Sequence, residues 1–152
     1  MKPPDFDVHA AHLWFGKHCN NEAWEIVESE ELDQAALDRL RHMAHASALH
    51  WSHVGSEVNR LRGLCLLTAA HDRAGDVDLA WHYGLQGAAL ADRIDALLSA
   101  FDRAAMYAAA ARAARHMGHN DAAERWLARA EEAAKALDAE DRTVYRRLFP
   151  PA

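Results

Sequence analysis

Histidine is the residue type in this chain that is best able to do chemistry. It accounts for 11 of the 152 residues, and several histidines stand three positions apart. On a helix, imidazoles at positions i and i+3 lie on one face, where they could share a metal ion. Four pairs have this spacing: His9/His12, His42/His45, His50/His53 and His116/His119.

A stable metal site needs a third or fourth ligand, and no HExxH motif, ExxH pair or cysteine cluster completes one here. Gly118 also falls inside the pair His116/His119 and disturbs its helical spacing. We therefore predict solvated or capping histidines, no metal site and no cofactor. Metal binding through the HxxH pairs remains the alternative.

Other catalytic patterns are missing from the sequence. There is no G-x-S-x-G elbow and no glycine-rich phosphate loop. Adjacent acids such as Glu30 and Glu31 are most simply exposed helix charges. The prediction is a protein that is not an enzyme.

The composition indicates an all-α domain. Hydrophobic residues make up 51% of the chain, alanine dominates that share, and Gly 7 and Pro 4 are low for an all-β protein. The formal charge of -6 argues against nucleic acid as a partner. No apolar run reaches ~18 residues and no signal peptide is recognisable, so we expect no membrane association. Cys19 and Cys65 fit reduced thiols in a cytoplasmic protein.

Seven helices should position these residues, because cap and stop signals recur along the chain. The predicted helices cover about residues 7–28, 33–53, 56–74, 76–92, 94–117, 120–137 and 138–150. No linker divides them, so residues 1–152 are interpreted as one domain of three antiparallel helix pairs and a terminal helix. That last helix is expected to cap the open end of the stack.

A helical signature recurs about every 43 residues. Its clearest copies are GDVDLAWHYGLQGAAL from Gly75 and GHNDAAERWLARAEEA from Gly118, and a weaker copy begins at Glu31. Such a period is typical of stacked helix pairs, most of which bind proteins. The pattern resembles tetratricopeptide (TPR) repeats, with Ala80 and Ala123 at the tight contact of the second helix. This resemblance implies a right-handed superhelix, the α-α solenoid.

A second resemblance covers most of the chain. The segments NEAWEIVE, RHMAHASALHWSHVG and AEDRTVYRRLF are similar to those of an uncharacterised bacterial family of small TPR-like proteins. The family's histidine motif falls on His45, His50 and Trp51, which form a candidate small-molecule pocket. A core tryptophan beside a histidine that bonds a carbonyl explains the same residues, and we favour it.

The TPR resemblance implies that the first helix of each pair lines a concave groove. Its register places five candidate partner-binding residues there: Asn21, Arg62, Asp72, Arg112 and Arg115. The arginines would form a basic patch for an acidic peptide or a C-terminus, since guanidinium groups bind carboxylates in a fork. Alternatively, Glu25, Glu28 and Asp72 satisfy the arginines within the chain.

The first helix also carries Trp14, Phe15 and Trp24, at the open N-terminal end of the stack. Exposed apolar groups of this kind favour association, so we expect a homodimer, unless these side chains pack on the second helix. Taken together, the sequence predicts a cytoplasmic helical-repeat module that binds protein or peptide.

Overall fold

The computed structural model describes residues 4–150, and all seven long elements in that range are α-helices, with no strand among the described residues. They are α1 (Val8–Glu28), α2 (Gln34–Val54), α3 (Glu57–Arg73), α4 (Val77–Arg93), α5 (Ala100–His116), α6 (Asn120–Ala134) and α7 (Ala139–Leu148). The predicted all-α class is confirmed.

Consecutive helices pack as pairs, α1 on α2, α3 on α4 and α5 on α6. Helices α3 and α5 also contact each other, and α3 contacts α1, so these three first helices are neighbours. Most of α3 and α5 is buried, including a run of alanines at 108–111 that presents side chains on every face. Alanine suits this position because its small side chain lets several helices approach at once.

Local signals set most helix ends as predicted. The side chains of Asp33 and Asp138 accept hydrogen bonds from the backbone N–H groups of Ala36 and Asp141 and so cap α2 and α7. Gly75 and Gly118 follow the ends of α3 and α5 with φ of 77° and 79°. Only glycine adopts that left-handed conformation without a steric cost, so both glycines end their helices as expected.

The start of α5 differs from the prediction of residue 94. A short 3₁₀ turn occupies Asp95–Leu97, and α5 begins after Ser99, whose hydroxyl accepts from the N–H of Asp102. The Asp102 carboxylate in turn accepts from the backbone N–H of Ser99, which completes a capping box. This reciprocal cap stabilises the helix start six residues later than the hydrophobic pattern indicated.

Helix α7 does not take the expected place at the end of the stack. It packs against α5 and also against α1, the first helix of the chain. Phe149, just after α7, is buried, and its ring centroid lies 6.3 Å from that of Trp24 on α1. Helix α7 therefore crosses the face that α1, α3 and α5 share. Apolar residues at 144, 145, 148 and 149 face this surface, which gives them more burial than an end cap would.

Candidate functional site

Helices α1, α3, α5 and α7 line a half-open cavity of about 480 Å³, which we call the roofed cavity because α7 forms one side of it. Its volume lies in the range of ligand pockets in proteins. The lining is mostly apolar and aromatic, with a few polar groups. The lining residues are Asn20, Trp24, Glu28, Leu61, Arg62, Cys65, Ser99, Phe101, Asp102, Ala105, Asp141, Val144 and Leu148.

An ion pair between α3 and α5 stands at the edge of the roofed cavity. Arg62 Nε donates to Asp102 Oδ1 at 2.7 Å, and Arg62 Nη2 donates to Oδ2 at 3.1 Å. Burial raises the pKa of Asp102, but hydrogen bonds from Arg62 and Ser99 outweigh it, so the pKa lies below its usual value. The buried carboxylate stays ionised and fixes the guanidinium plane.

A second cavity of about 270 Å³, the donor cavity, shares Asn20 and Arg62 with the roofed cavity. Its other lining residues are Lys17, Asn21, Trp51 and Asn59. In the Asn59 amide, Oδ1 accepts from the Ser56 backbone N–H, which leaves Nδ2 as a donor. In the Asn21 amide, Oδ1 accepts from Asn20, again leaving Nδ2 as a donor.

The two cationic groups of the donor cavity also have free N–H donors. Lys17 is exposed and forms no ion pair with the described residues. The Nη1 group of Arg62 takes no part in the pair with Asp102. The cavity therefore presents donors from Lys17, Asn21, Asn59 and Arg62, which suits an oxygen ligand such as a carboxylate.

The three predicted groove arginines do not form one patch. Arg62 lines the roofed and donor cavities, whereas Arg112 and Asp72 line a third cavity of about 460 Å³. Glu28 and Leu148 border both the roofed and the third cavity, so α7 and the end of α1 lie between the two arginines.

Carboxylates within the chain bind two of these arginines: Asp72 binds Arg112, as the alternative interpretation held, whereas Arg62 is bound by Asp102, which that interpretation did not name. Arg112 Nε donates to Asp72 Oδ2 at 2.6 Å, and His116 bonds the other oxygen of the buried Asp72 carboxylate. Glu28 binds Arg147 of α7 instead of a groove arginine. Arg115 is exposed and forms no ion pair within residues 4–150.

The residues His45, His50 and Trp51 belong to separate surroundings and form no common pocket. Trp51 is buried against Gly16, where an added Cβ would lie 3.1 Å from the indole ring. Trp51 is therefore a core residue, as the favoured interpretation held, but the carbonyl bond that it assigned to the neighbouring histidine is wrong, because His50 bonds another imidazole. His50 shares a 2.7 Å hydrogen bond with His12, Nδ1 to Nδ1. Burial, then the neighbouring imidazoles of His12 and His53, lower the pKa of His50.

His45 instead begins a chain of polar contacts across three helices. Its Nε2 lies 3.0 Å from Nε2 of the buried His71, whose Nδ1 lies 2.9 Å from Asp76 Oδ2. Arg41 donates to the same carboxylate from Nε at 2.7 Å. Burial, followed by the charge of His71, lowers the pKa of His45. Asp76 was predicted to cap α4 but makes no side-chain cap bond, because Arg41 and His71 occupy its oxygens.

Sequence reasoning missed most of the residues that build the two joined cavities. Lys17, Asn20, Trp24 and Glu28 recur at helical spacing along α1, and this polar and aromatic stripe was the available signal. Asp102 was detectable as the third residue after Ser99 in a capping box. The arrangement of these side chains around a cavity depends on α7, whose position no local pattern reveals.

Two wider properties complete the description of the site. Within the described part of the chain, no group of three or more histidine, cysteine, aspartate or glutamate side chains is placed to hold a metal ion. None of the helices described is long and apolar enough to cross a membrane.

No protein-family model, no curated protein and no solved structure matches this chain.

Proposed function

We propose that this protein is a TPR-like module that binds a peptide or protein segment along the face formed by α1, α3 and α5. Pairwise packing of the six long helices, with three first helices as neighbours, supports the TPR-like interpretation. Both joined cavities lie on this face. Helical stacks use such surfaces to hold extended segments, since neighbouring repeats supply contacts at regular intervals.

The observation that carries the proposal is the donor cavity. Lys17, Asn21, Asn59 and Arg62 offer N–H donors from two helices, and Asp102 orients the guanidinium. A carboxylate takes up several such donors at once and compensates the two positive charges. The ligand we propose is therefore an acidic peptide or a chain terminus with its carboxylate in the donor cavity.

Charge reversal at Lys17 tests this assignment. The probes are peptides selected for binding to the unmodified protein from a library with free carboxyl termini. We expect Lys17→Glu to weaken their binding by at least about tenfold, because the new carboxylate would repel the carboxylate of the peptide. Isothermal titration calorimetry would measure the dissociation constant. Lys135→Glu makes the same charge change at the exposed residue that follows α6, where Lys135 pairs with Glu132, and serves as the control.

The two variants should therefore differ. Equal affinity of Lys17→Glu and Lys135→Glu for the selected peptides would remove the donor cavity from the binding site. Amidation of the peptide terminus should reproduce the Lys17→Glu loss in the unmodified protein, since it deletes the charge from the other partner.

A small hydrophobic acid is the second candidate ligand, because most of the surface that lines the roofed cavity is apolar. We further propose a cytoplasmic location. Cys19 and Cys65 are both buried free thiols, as expected of a protein kept under reducing conditions.

A further inference from the structure

Helix α7 is attached to the rest of the protein by few contacts. No residue within α7 itself is buried. Its far end is held by Phe149, which packs on Trp24 and belongs to the main hydrophobic core, by the partly buried Tyr145 and Leu148, and by an ion pair, Arg147 Nε to Glu28 Oε2 at 3.1 Å. At its near end, Asp138 caps the helix and the Arg142 side chain donates to the Leu137 carbonyl. We call the Phe149–Trp24 contact and the Arg147–Glu28 ion pair the latch, because their loss would free the far end of α7. The helix would then turn about its near end.

The surface beneath α7 is incompletely filled. Val144 and Leu148 of α7 face Leu61 and Phe101 across the roofed cavity of about 480 Å³. The cavity is partly open to solvent, so α7 covers this part of the stack without packing closely against it. An apolar group that entered the cavity would contact both α7 and the stack and would add the missing dispersion contacts.

We propose that α7 is a lid over an apolar subsite, and that this subsite receives the hydrophobic group next to the carboxylate bound in the donor cavity. The inference rests on the proposed function for the carboxylate, whereas the opening of α7 is independent of it. The two cavities are neighbours, with Asn20 and Arg62 in both linings, so a ligand that passes beside these two side chains would occupy both. The required chemistry is a terminal carboxylate attached to a compact apolar group.

Cys65 supplies a probe for the opening of the lid. It lines the roofed cavity, is 6% exposed, and is one of two cysteines in the chain. Burial raises the pKa of the Cys65 thiol to about 12, so the closed form has almost no reactive thiolate near neutral pH. Displacement of α7 removes part of this burial and exposes the sulfur.

The first arm of the experiment measures alkylation of Cys65 by iodoacetamide, followed by mass spectrometry, in a Cys19→Ala background. We expect Phe149→Ala to accelerate alkylation by about tenfold, because it deletes the main latch contact and increases local opening. Glu28→Gln, which weakens only the ion pair, should accelerate alkylation less. Arg146→Ala changes an exposed neighbour on α7 and should leave the rate within about twofold of the background.

Two results together would overturn the lid. Cys65 in the background protein would be alkylated at the rate at which the whole protein unfolds, and Phe149→Ala would change that alkylation rate only as much as it changes global stability. Circular dichroism during urea unfolding supplies both reference values, the rate of global unfolding and the free energy of unfolding. This comparison keeps the test valid even if Phe149→Ala lowers the stability of the whole chain.

The second arm adds ligands to the same alkylation assay. Three probes are compared: a pentapeptide ending in phenylalanine with a free carboxylate, its amidated form, and 3-phenylpropionate. We expect the free-acid peptide to slow alkylation of Cys65 by at least about fivefold at saturation, because it fills the cavity and holds α7 closed. The amide should protect far less.

The comparison of the two acids identifies the source of the ligand. Stronger protection by the peptide assigns the site to a chain terminus, and stronger protection by 3-phenylpropionate assigns it to free hydrophobic acids. Both results support the subsite. If the peptide binds in calorimetry and leaves alkylation unchanged, the apolar subsite is refuted and the proposed function stands. If neither acid binds at all, the apolar subsite and the carboxylate site in the donor cavity both fail, and the opening of α7 is decided by the first arm alone.

Discussion

At the scale of single residues, three aspartates, two with buried carboxylates and one partly exposed, organise the contacts between helices. Asp102, Asp72 and Asp76 each hold an arginine from another helix, in the pairs Arg62–Asp102, Arg112–Asp72 and Arg41–Asp76. Each pair joins residues 35 to 40 positions apart. A buried charge is costly unless it is paired and hydrogen-bonded, so these aspartates determine which arginine side chains remain free for a ligand.

Asp76 leads to a prediction about acid stability. Hydrogen bonds from Arg41, then from His71, lower its pKa from 3.8 to about 2, despite partial burial. Because the folded-state pKa is the lower one, the carboxylate stabilises the fold above about pH 4, and this contribution is lost between about pH 4 and 2. We expect Asp76→Asn to cost about 2 kcal/mol of unfolding free energy at pH 7.

Urea unfolding at several pH values would measure this effect. The difference between Asp76→Asn and the unmodified protein should shrink as the pH falls toward about 2 and disappear below it, where both carry a neutral side chain. Asp78→Asn, on the exposed first turn of α4, should cost less than about 0.5 kcal/mol. If Asp76→Asn lowered the free energy of unfolding by the same amount at every pH, the charge of Asp76 would not contribute to stability.

At the scale of helices, glycines allow α4 to approach its neighbours. A Cβ added at Gly84 would lie 3.4 Å from the Ala110 backbone of α5, and one at Gly87 would overlap Sδ and Cε of Met106. These atoms are the flexible end of the Met106 side chain, but Met106 is fully buried, so any movement must be accommodated by its core neighbours. Gly63 of α3 differs, because its added Cβ would be in ordinary contact with Ala48 at 3.6 Å.

Two matched glycine substitutions test this description of the helix contacts. Gly87→Ala should destabilise the protein by about 1–2 kcal/mol, since overpacking outweighs the gain in helix propensity. Gly63→Ala should stabilise it by about 0.5–1 kcal/mol, because only the propensity changes. Unfolding free energies from urea titration give both values. If both substitutions changed the free energy of unfolding in the same direction, α4 and α5 would be less closely packed than the structure indicates.

At the scale of the whole molecule, an apolar patch remains exposed on α1. Trp14 is 55% and Phe15 43% exposed, whereas Trp24 of the same predicted aromatic group lies in the roofed cavity. The expected homodimer therefore relies on Trp14 and Phe15 alone. We propose that a second copy of the chain covers them, since large exposed aromatic side chains favour association.

Sedimentation velocity tests this association. We expect Trp14→Lys to raise the dimer dissociation constant by at least about tenfold, because a charge would enter the apolar contact. Leu97→Lys introduces the same charge at a side chain that is 65% exposed, away from α1, and should leave the dissociation constant unchanged. A monomeric unmodified protein at all concentrations would contradict the prediction.

The sequence by itself determined the helices and most of their ends. Caps at Asp33 and Asp138 and the left-handed glycines 75 and 118 depend on contacts within about five residues, which a local pattern contains. Only the tertiary structure decided that Asp76 serves Arg41, that Arg62 and Arg112 line different cavities, and that α7 returns to α1. These outcomes depend on the relative placement of distant helices, which is set by close packing of the whole chain.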